Sequence, residues 1–291
     1  MDTAAVAGRV LRWYAANARD LPWRRPGATP WEVMVSEFML QQTPVERVRQ
    51  PWREWVGRWP TPAALAAAPA GDAVRAWGRL GYPRRALRLH QSAVLIVSRH
   101  AGEVPQDRSQ LLSLPGVGSY TAAAILSFAF GQRQTVLDTN VRRVLARVAS
   151  GTAFPAPATT SAEMALAERF VPQSPSRAAG WAVASMELGA LVCTAKAPQC
   201  SMCPVQRFCT WRQAGYPTSD GPRRRAQSYA GTDRQCRGAL LAVLRSSDRP
   251  VSRVELDRAW ADVGQRERAL HSLLIDGLAV VVDDALIALP Q

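Results

Sequence analysis

Residues 112–144 read LSLPGVGSYTAAAILSFAFGQRQTVLDTNVRRV: a break between two helical runs, followed by one carboxylate. Pro115, Gly116 and Gly118 stop the run entering from 107–113, because proline lacks an amide donor and glycine restrains the backbone least. Ser119 or Thr121 is placed to cap the next helix, 119–130, whose stretch from Ala122 to Phe130 is apolar. The pattern is helix, tight turn, helix. Gly116 and Gly118 flank Val117 and leave backbone N–H groups at a helix N-terminus, where an anion is favoured. Asp138 then comes in Leu137-Asp138-Thr139-Asn140, ahead of Arg142 and Arg143. Alone, an acid beside two arginines reads as a helix cap with a solvated basic face.

Charge tells which anion to expect. The 291 residues carry a net charge of +13 and a pI of about 10.8, so the partner is a polyanion and the anion at the turn a nucleic-acid phosphate. Of 36 Lys+Arg, Lys196 is the one lysine and 35 are arginine. A composition 47% hydrophobic and 20% charged indicates a globular chain of two or three domains. No apolar run reaches the roughly 18 residues of a membrane span. The N-terminus reads as an amphipathic helix, not a signal peptide. The expectation is a cytoplasmic, nucleoid-associated monomer with no membrane partner.

Before residue 236 almost nothing alternates with period two, so the class is all-α. Helices are expected over 1–20, 31–40, 44–59, 61–68, 72–80, 84–100, 140–149, 161–170 and 176–190. On the 84–100 helix, Leu87, Val94, Leu95 and Val97 are expected to face inward. Residues 217–235 are polar, rich in glycine and proline, and carry Arg223, Arg224 and Arg225, a linker pattern with a solvated basic run. Helices over 237–245, 252–260 and 265–276, then strands over 278–282 and 285–289 about an Asp283-Asp284 turn, have the order of a winged helix.

Cys193, Cys200, Cys203 and Cys209 are spaced C-x6-C-x2-C-x5-C. Clustered thiolates bind zinc or an iron–sulfur cluster. The spacing differs from the paired C-x2-C knuckles of a zinc ribbon, but by itself it leaves the metal open. Cys236 stands apart as an inert thiol.

The cysteine spacing, the hairpin LPGVGSYTAAAI and the downstream Asp138 together resemble the endonuclease III superfamily of helix-hairpin-helix DNA glycosylases. Ser36-Glu37-Phe38-Met39-Leu40-Gln41-Gln42-Thr43 narrows the resemblance to the MutY-type adenine DNA glycosylases, over about residues 20–215. It implies a two-lobed fold with a [4Fe–4S] cluster on the four cysteines. Residues 21–135 would form the hairpin lobe, 1–20 with 136–216 the cluster lobe, 217–236 a linker and 237–291 a winged-helix-like module. The implied partner is double-stranded DNA containing mispaired adenine, lying in a groove between the lobes. The implied reaction is monofunctional hydrolysis of the N-glycosidic bond of adenine opposite 8-oxoguanine or guanine.

Two carboxylates with separated pKa values are the general solution for glycoside cleavage. Glu37 has apolar neighbours at 33, 34 and 40, a setting that raises a carboxyl pKa and suits an acid. The resemblance assigns Glu37 to protonate adenine and Asp138 to stabilise or capture the sugar, with Tyr120 and Asn140 orienting Asp138. It places Gln42 and Tyr82 as intercalating residues, since a flipped base leaves a gap. Thr43 and Leu80 would contact the orphaned guanine, Trp23 and Arg24 the edge of the adenine pocket, and Gln41, Gly116, Gly118 and Glu187 complete the DNA- and base-binding set. Bifunctional members carry a lysine where this chain has Tyr120, and Lys196 lies inside the cysteine loop. Two departures stand out. Val183 replaces a glutamine expected to bond the adenine edge, and the C-terminal module is too short for the pyrophosphohydrolase-like domain of longer members. A thymine-releasing glycosylase and a non-enzymatic iron–sulfur DNA-binding protein are the alternatives; Glu37, an acid suited to protonating a purine, argues against the first, and Glu37 with Asp138 against the second.

Overall fold

The structure, a computed structural model, describes residues 1–218, 229–283 and 286–291. The linker arginines Arg223, Arg224 and Arg225, and Asp284 of the expected turn, lie outside them. The helices, in chain order, are α1 (Thr3–Asn17), α2 (Pro30–Leu40), α3 (Val45–Arg58), α4 (Pro62–Ala66), α5 (Ala70–Trp77), α6 (Arg84–Arg99), α7 (Arg108–Leu112), α8 (Ser119–Phe130), α9 (Thr139–Val148), α10 (Ser161–Glu168), α11 (Pro175–Leu191), α12 (Thr210–Gln213), α13 (Asp233–Ser246), α14 (Arg253–Asp257) and α15 (Val263–Ile275). Two short strands, β1 (Val280–Val282) and β2 (Leu286–Ala288), pair antiparallel. The all-α reading holds, and the strands are confined to the C-terminal module.

Contacts divide the chain into two compact units. The first holds Met1–Val33, Gln106–Ser113 and the described part of Val117–Pro222; the second holds Met34–Pro105, Leu114–Gly116 and the described part of Arg223–Gln291. These groupings cut the chain elsewhere than at 21–135 and 136–216. The C-terminal module packs on α5 and α6 and so clusters with them.

In the first unit, Val6 and Val10 of α1, Val141, Val144 and Leu145 of α9, and Trp181 and Leu188 of α11 share one apolar core. Helix α8 is apolar all round, and Thr121 through Ser127 are all buried, as expected of a helix surrounded on every side. Its cap is Gly118, without a side-chain hydrogen bond. Ser119 and Thr121 lie inside the first turn and do not cap.

In the second unit, Trp55 meets Trp59 and Trp77 edge-on, with ring centroids 4.8 and 5.6 Å apart. The buried face of α6 is Arg85, Ala86, Leu89, Ser92, Ala93 and Ile96, with Leu87 beside it. Val94 and Val97 are 41% and 40% exposed, against expectation. The inward stripe follows 85, 89, 92 and 96, on the helix that packs against α4 and α5.

The C-terminal module has the winged-helix order. The helix α13 starts at Asp233, where Thr232 accepts the Gln235 amide as cap. Ser252 and Glu255 form a reciprocal capping box on α14. Val251 and Ile287 exchange backbone hydrogen bonds at 2.8 Å, adding a third edge to the hairpin. Two crossed arginines fix the module to α5. Arg75 donates to the carbonyls of Arg245 (3.1 Å) and Ser247 (2.8 Å). Arg245 donates to those of Val74 (2.9 Å) and Gly78 (2.5 Å), and burial pulls its pKa down to about 10. The Gly71 amide donates to the Pro290 carbonyl at 2.6 Å.

A Cβ on Gly71 would lie 2.5 Å from that carbonyl oxygen. Alanine ordinarily stabilises a helix relative to glycine, but here the contact reverses the sign. Gly71→Ala should destabilise the protein by about 1–3 kcal/mol, read as a lower denaturant midpoint together with faster proteolysis of 229–291. An unchanged or raised midpoint would contradict this packing.

Candidate functional site

Glu37 is 4% exposed and sits among Met34, Val35, Phe38 and Met39, all buried. Apart from Glu37, the one charge on helix α2 is Glu32 in its first turn. The hairpin turn Leu114–Gly116 belongs to the same unit. Gly116 has φ 83°, and a Cβ there would lie 2.7 Å from the Phe38 ring and 3.0 Å from Arg88. Only glycine permits both the turn and this approach. Ser92 Oγ donates to the Pro115 carbonyl at 2.8 Å, and Gln41 Nε2 to that of Gly116 at 3.4 Å.

Past α2 the chain turns sharply. Thr43 is buried, and its hydroxyl lies 3.3 Å from the Gln41 carbonyl and 3.4 Å from that of Leu80. Leu80 is itself buried, so its backbone faces Thr43 while its side chain packs inward. Gln42 and Tyr82 both have left-handed backbone, φ 56° and 47°. Both are exposed, Tyr82 by 53%.

Asp138 belongs to the first unit. It caps α9, its Oδ1 accepting the Val141 amide at 2.7 Å, and its Oδ2 accepts Asn140 Nδ2 at 2.7 Å. Burial raises its pKa, while those two donors and the Arg143 charge oppose the rise. The basic face expected to be solvated turns inward. Arg143 donates to Asn140 Oδ1 (2.9 Å) and to the carbonyls of Gly189 (2.6 Å) and Cys193 (2.8 Å). Arg142 is 9% exposed and forks onto Glu163. A Cβ on Gly189 would lie 2.7 Å from Asn140 Cβ, so glycine lets α11 close on the start of α9. Tyr120 packs half-buried with Phe128 and Met186 over Ala123, Ala124, Val136 and Ala182.

Glu187 is fully buried on α11 and takes three side-chain hydrogen bonds from two arginines: Arg19 Nε (2.7 Å), Arg19 Nη2 (2.9 Å) and Arg24 Nη1 (2.8 Å). Burial works against its charge, but the two guanidiniums overcome it and hold the carboxyl down at about 2. The pair ties α1 and the Pro22–Arg24 turn, where Trp23 is buried, to α11. Arg19, Arg143 and Gly189 had no expected role. In a chain with 35 arginines, nothing local marks the inward ones.

Cys193, Cys200, Cys203 and Cys209 line one cavity with Val144, Arg147, Leu188 and Val205. All are free thiols. Burial pushes Cys203 up to about 12, and the other three thiols add to the rise. Arg147 donates to Cys193 Sγ at 3.4 Å and to the Thr194 carbonyl at 2.7 Å. Among the described residues no three His, Cys, Asp or Glu side chains converge as a site for a metal ion. Among the same residues, no helix is long and apolar enough to cross a membrane.

The profile of HhH-GPD superfamily base excision DNA repair proteins matches residues 35–170. An adenine DNA glycosylase of Mycobacterium tuberculosis is 54% identical over 282 residues, 97% of this chain and 92% of the relative. Another, of Mycolicibacterium smegmatis, is 52% identical over 96% of this chain and 94% of its own. Among solved structures, a thermostable thymine-DNA glycosylase superposes with a TM-score of 0.66 at 25% identity, covering 73% of this chain and 97% of that one.

The Glu187 carboxyl has a folded pKa of about 2 against an ordinary 4.5. Its stabilising effect is complete above pH 4.5 and drains away as pH falls toward 2. Wild type should therefore lose stability over that window in denaturant melts, and Glu187→Gln should be weaker at neutral pH with a flatter acid limb. Parallel acid limbs would contradict the assignment.

Proposed function

This chain belongs to the HhH-GPD superfamily of base excision DNA repair proteins, and we propose that the base it removes is adenine mispaired with 8-oxoguanine or guanine. It is a DNA glycosylase. What carries the adenine reading is Glu37, a carboxyl 4% exposed on an apolar helix, in a chain whose near-full-length relatives are named for adenine. Adenine leaves poorly unless a ring nitrogen is protonated. Glu37 donates that proton as the C1′–N bond breaks and its electron pair departs with the base. Asp138, fixed by the Val141 amide and the Asn140 side chain, faces the cation-like sugar with its charge. Water adds at C1′ and gives up a proton to the carboxylate. Tyr120 and Asn140 keep Asp138 in register.

Gln42 and Tyr82 fill the space that the flipped adenine leaves. Thr43 and Leu80 line the orphan guanine, Trp23 and Arg24 the adenine pocket. Gln41, Gly116 and Gly118 complete the DNA contact set, the two glycines offering amides to phosphate; Glu187, expected in that set, is fully buried beneath Arg19 and Arg24 and instead holds Arg24 in place at the edge of the adenine pocket. Val183 offers adenine no hydrogen bond. Tyr120 is no amine, and Lys196, inside the cysteine loop, is the chain's one lysine, so strand cleavage through a Schiff base is not part of the reaction. Cys193, Cys200, Cys203 and Cys209 would hold a [4Fe–4S] cluster. Four soft thiol side chains lining one cavity fit an iron–sulfur group. The bound cluster would cross-link the 193–209 loop and contribute folding energy. The enzyme acts as a cytoplasmic, nucleoid-associated monomer. Its lobes are 21–135 and 1–20 with 136–216, joined through 217–236 to the module at 237–291.

Single-turnover base release on duplexes with A opposite 8-oxoguanine, A:G, A:C and T:G tests the reading. Strand breaks should appear only after alkali, fastest for A opposite 8-oxoguanine. Glu37→Gln should slow release by about 10²–10⁴-fold, and borohydride should trap no covalent adduct. Release from T:G alone would replace adenine by thymine.

A further inference from the structure

Arg85 is the most heavily bonded side chain of the second unit to which the reaction assigns no part. Its guanidinium is 5% exposed. Among the described residues no carboxylate pairs with it; burial pulls its pKa down to about 10. Nη1 donates to the carbonyls of Phe38 (2.9 Å) and Met39 (3.2 Å), the last turn of the helix carrying Glu37, and to that of Gln41. Nη2 donates to Thr43 Oγ1 (3.1 Å) and to the Gly81 carbonyl (3.0 Å). The cation also lies 5.4 Å from the Tyr82 ring centroid and 5.3 Å from that of Trp77.

Two of these acceptors belong to the peptide groups that set the strained torsions. The Gln41 carbonyl lies in the Gln41–Gln42 peptide, and the Gly81 carbonyl in the Gly81–Tyr82 peptide. Rotation of those planes is what changes φ at Gln42 and Tyr82, the two exposed residues at 56° and 47°. L side chains hold such φ only where the surroundings over-determine it. One planar fork therefore bonds both planes while bracing Thr43 and the end of α2. A lysine, a single point of charge without a fork, cannot reach both sides at once.

We propose that Arg85 is a positioning residue that holds Gln42 and Tyr82 together in the left-handed conformation from which they enter the base stack. This rests on the wedge role given to those residues above. It makes extrusion of the target base, rather than protonation, the step that Arg85 serves.

A double-mutant cycle tests it. Arg85→Lys should slow single-turnover release from a paired A opposite 8-oxoguanine by about 10²-fold. In a Tyr82→Ala background the same change should add little, since both act on one step. In a Glu37→Gln background, which stops the chemistry, Arg85→Lys should also reduce the fluorescence rise of 2-aminopurine at the target position on binding. Full additivity with Tyr82→Ala, or unchanged 2-aminopurine extrusion, would overturn the proposal. If Arg85→Lys does not fold, Thr43→Val, which removes one acceptor and keeps the cation, goes through the same cycle with the same criteria. Failure of the adenine reading itself would appear separately, as wild type that releases no adenine from any duplex.

Discussion

A guanidinium taken out of water needs acceptors for most of its N–H donors, and a long chain of structure here follows from that demand; on Arg85 the two terminal nitrogens find them and Nε does not. Arg85, Arg143, Arg147 and Arg245 answer it chiefly with backbone carbonyls rather than carboxylates. Carbonyl acceptors come from loops and helix ends, the groups that secondary structure leaves over. Each buried arginine therefore ties down several irregular segments at once. In the first unit, Arg143 and Arg147 gather the start of α9, the end of α11 and the cysteine loop. In the second, Arg85 gathers the turn after α2 and the turn before α6, and Arg245 gathers α5 and the C-terminal module. The proposed chemistry stands on these irregular segments, with regular helices behind them.

Asp138 shows how one carboxylate serves both folding and the reaction. As an N-cap it donates nothing and accepts two hydrogen bonds, so its position is decided by helix α9 before any substrate arrives. Gly189 lets α11 come close enough to hold that helix start. Glu37 is placed by a different device: it lies within α2, buried among Met34, Val35, Phe38 and Met39. The two acids differ in environment because one tops a helix and the other sits within one.

Much of this was legible in the sequence. The hairpin, the helix order, the capping residue at 138 and the thiol cluster follow from local rules of period, cap and spacing. The winged-helix order of the C-terminal module could also be read, because Ser252 as a cap and two short apolar runs about an Asp-Asp turn are local signals. What could not be read is which arginines turn inward. Arg142 and Arg143 look solvated beside Asp138, and Arg85 looks like half of a basic pair in Tyr82-Pro83-Arg84-Arg85. Their burial depends on carbonyls tens of residues away, and no periodicity records that. Val94 and Val97 are apolar but lie off the buried face of α6, which packing against α4 and α5 chooses and the local sequence does not record. The cap of α8 fails because the helix already begins at Ser119, which puts Gly118 in the cap position.

The crossing of Arg75 and Arg245, and the bond from Gly71 to Pro290, also bear on how the chain is made. Residues 34–105 leave the ribosome early, yet part of the surface they fold around is supplied by residues beyond 229. Between the two, the helices of the first unit must be synthesised and find one another. Translation runs at some 5–20 residues per second, so α5 waits on the order of ten seconds or more with the backbone carbonyls of Val74 and Gly78 facing solvent. An interleaved order of this kind places the riskiest interval of folding in the nascent chain, where a holdase or a slow codon stretch would have the most to protect.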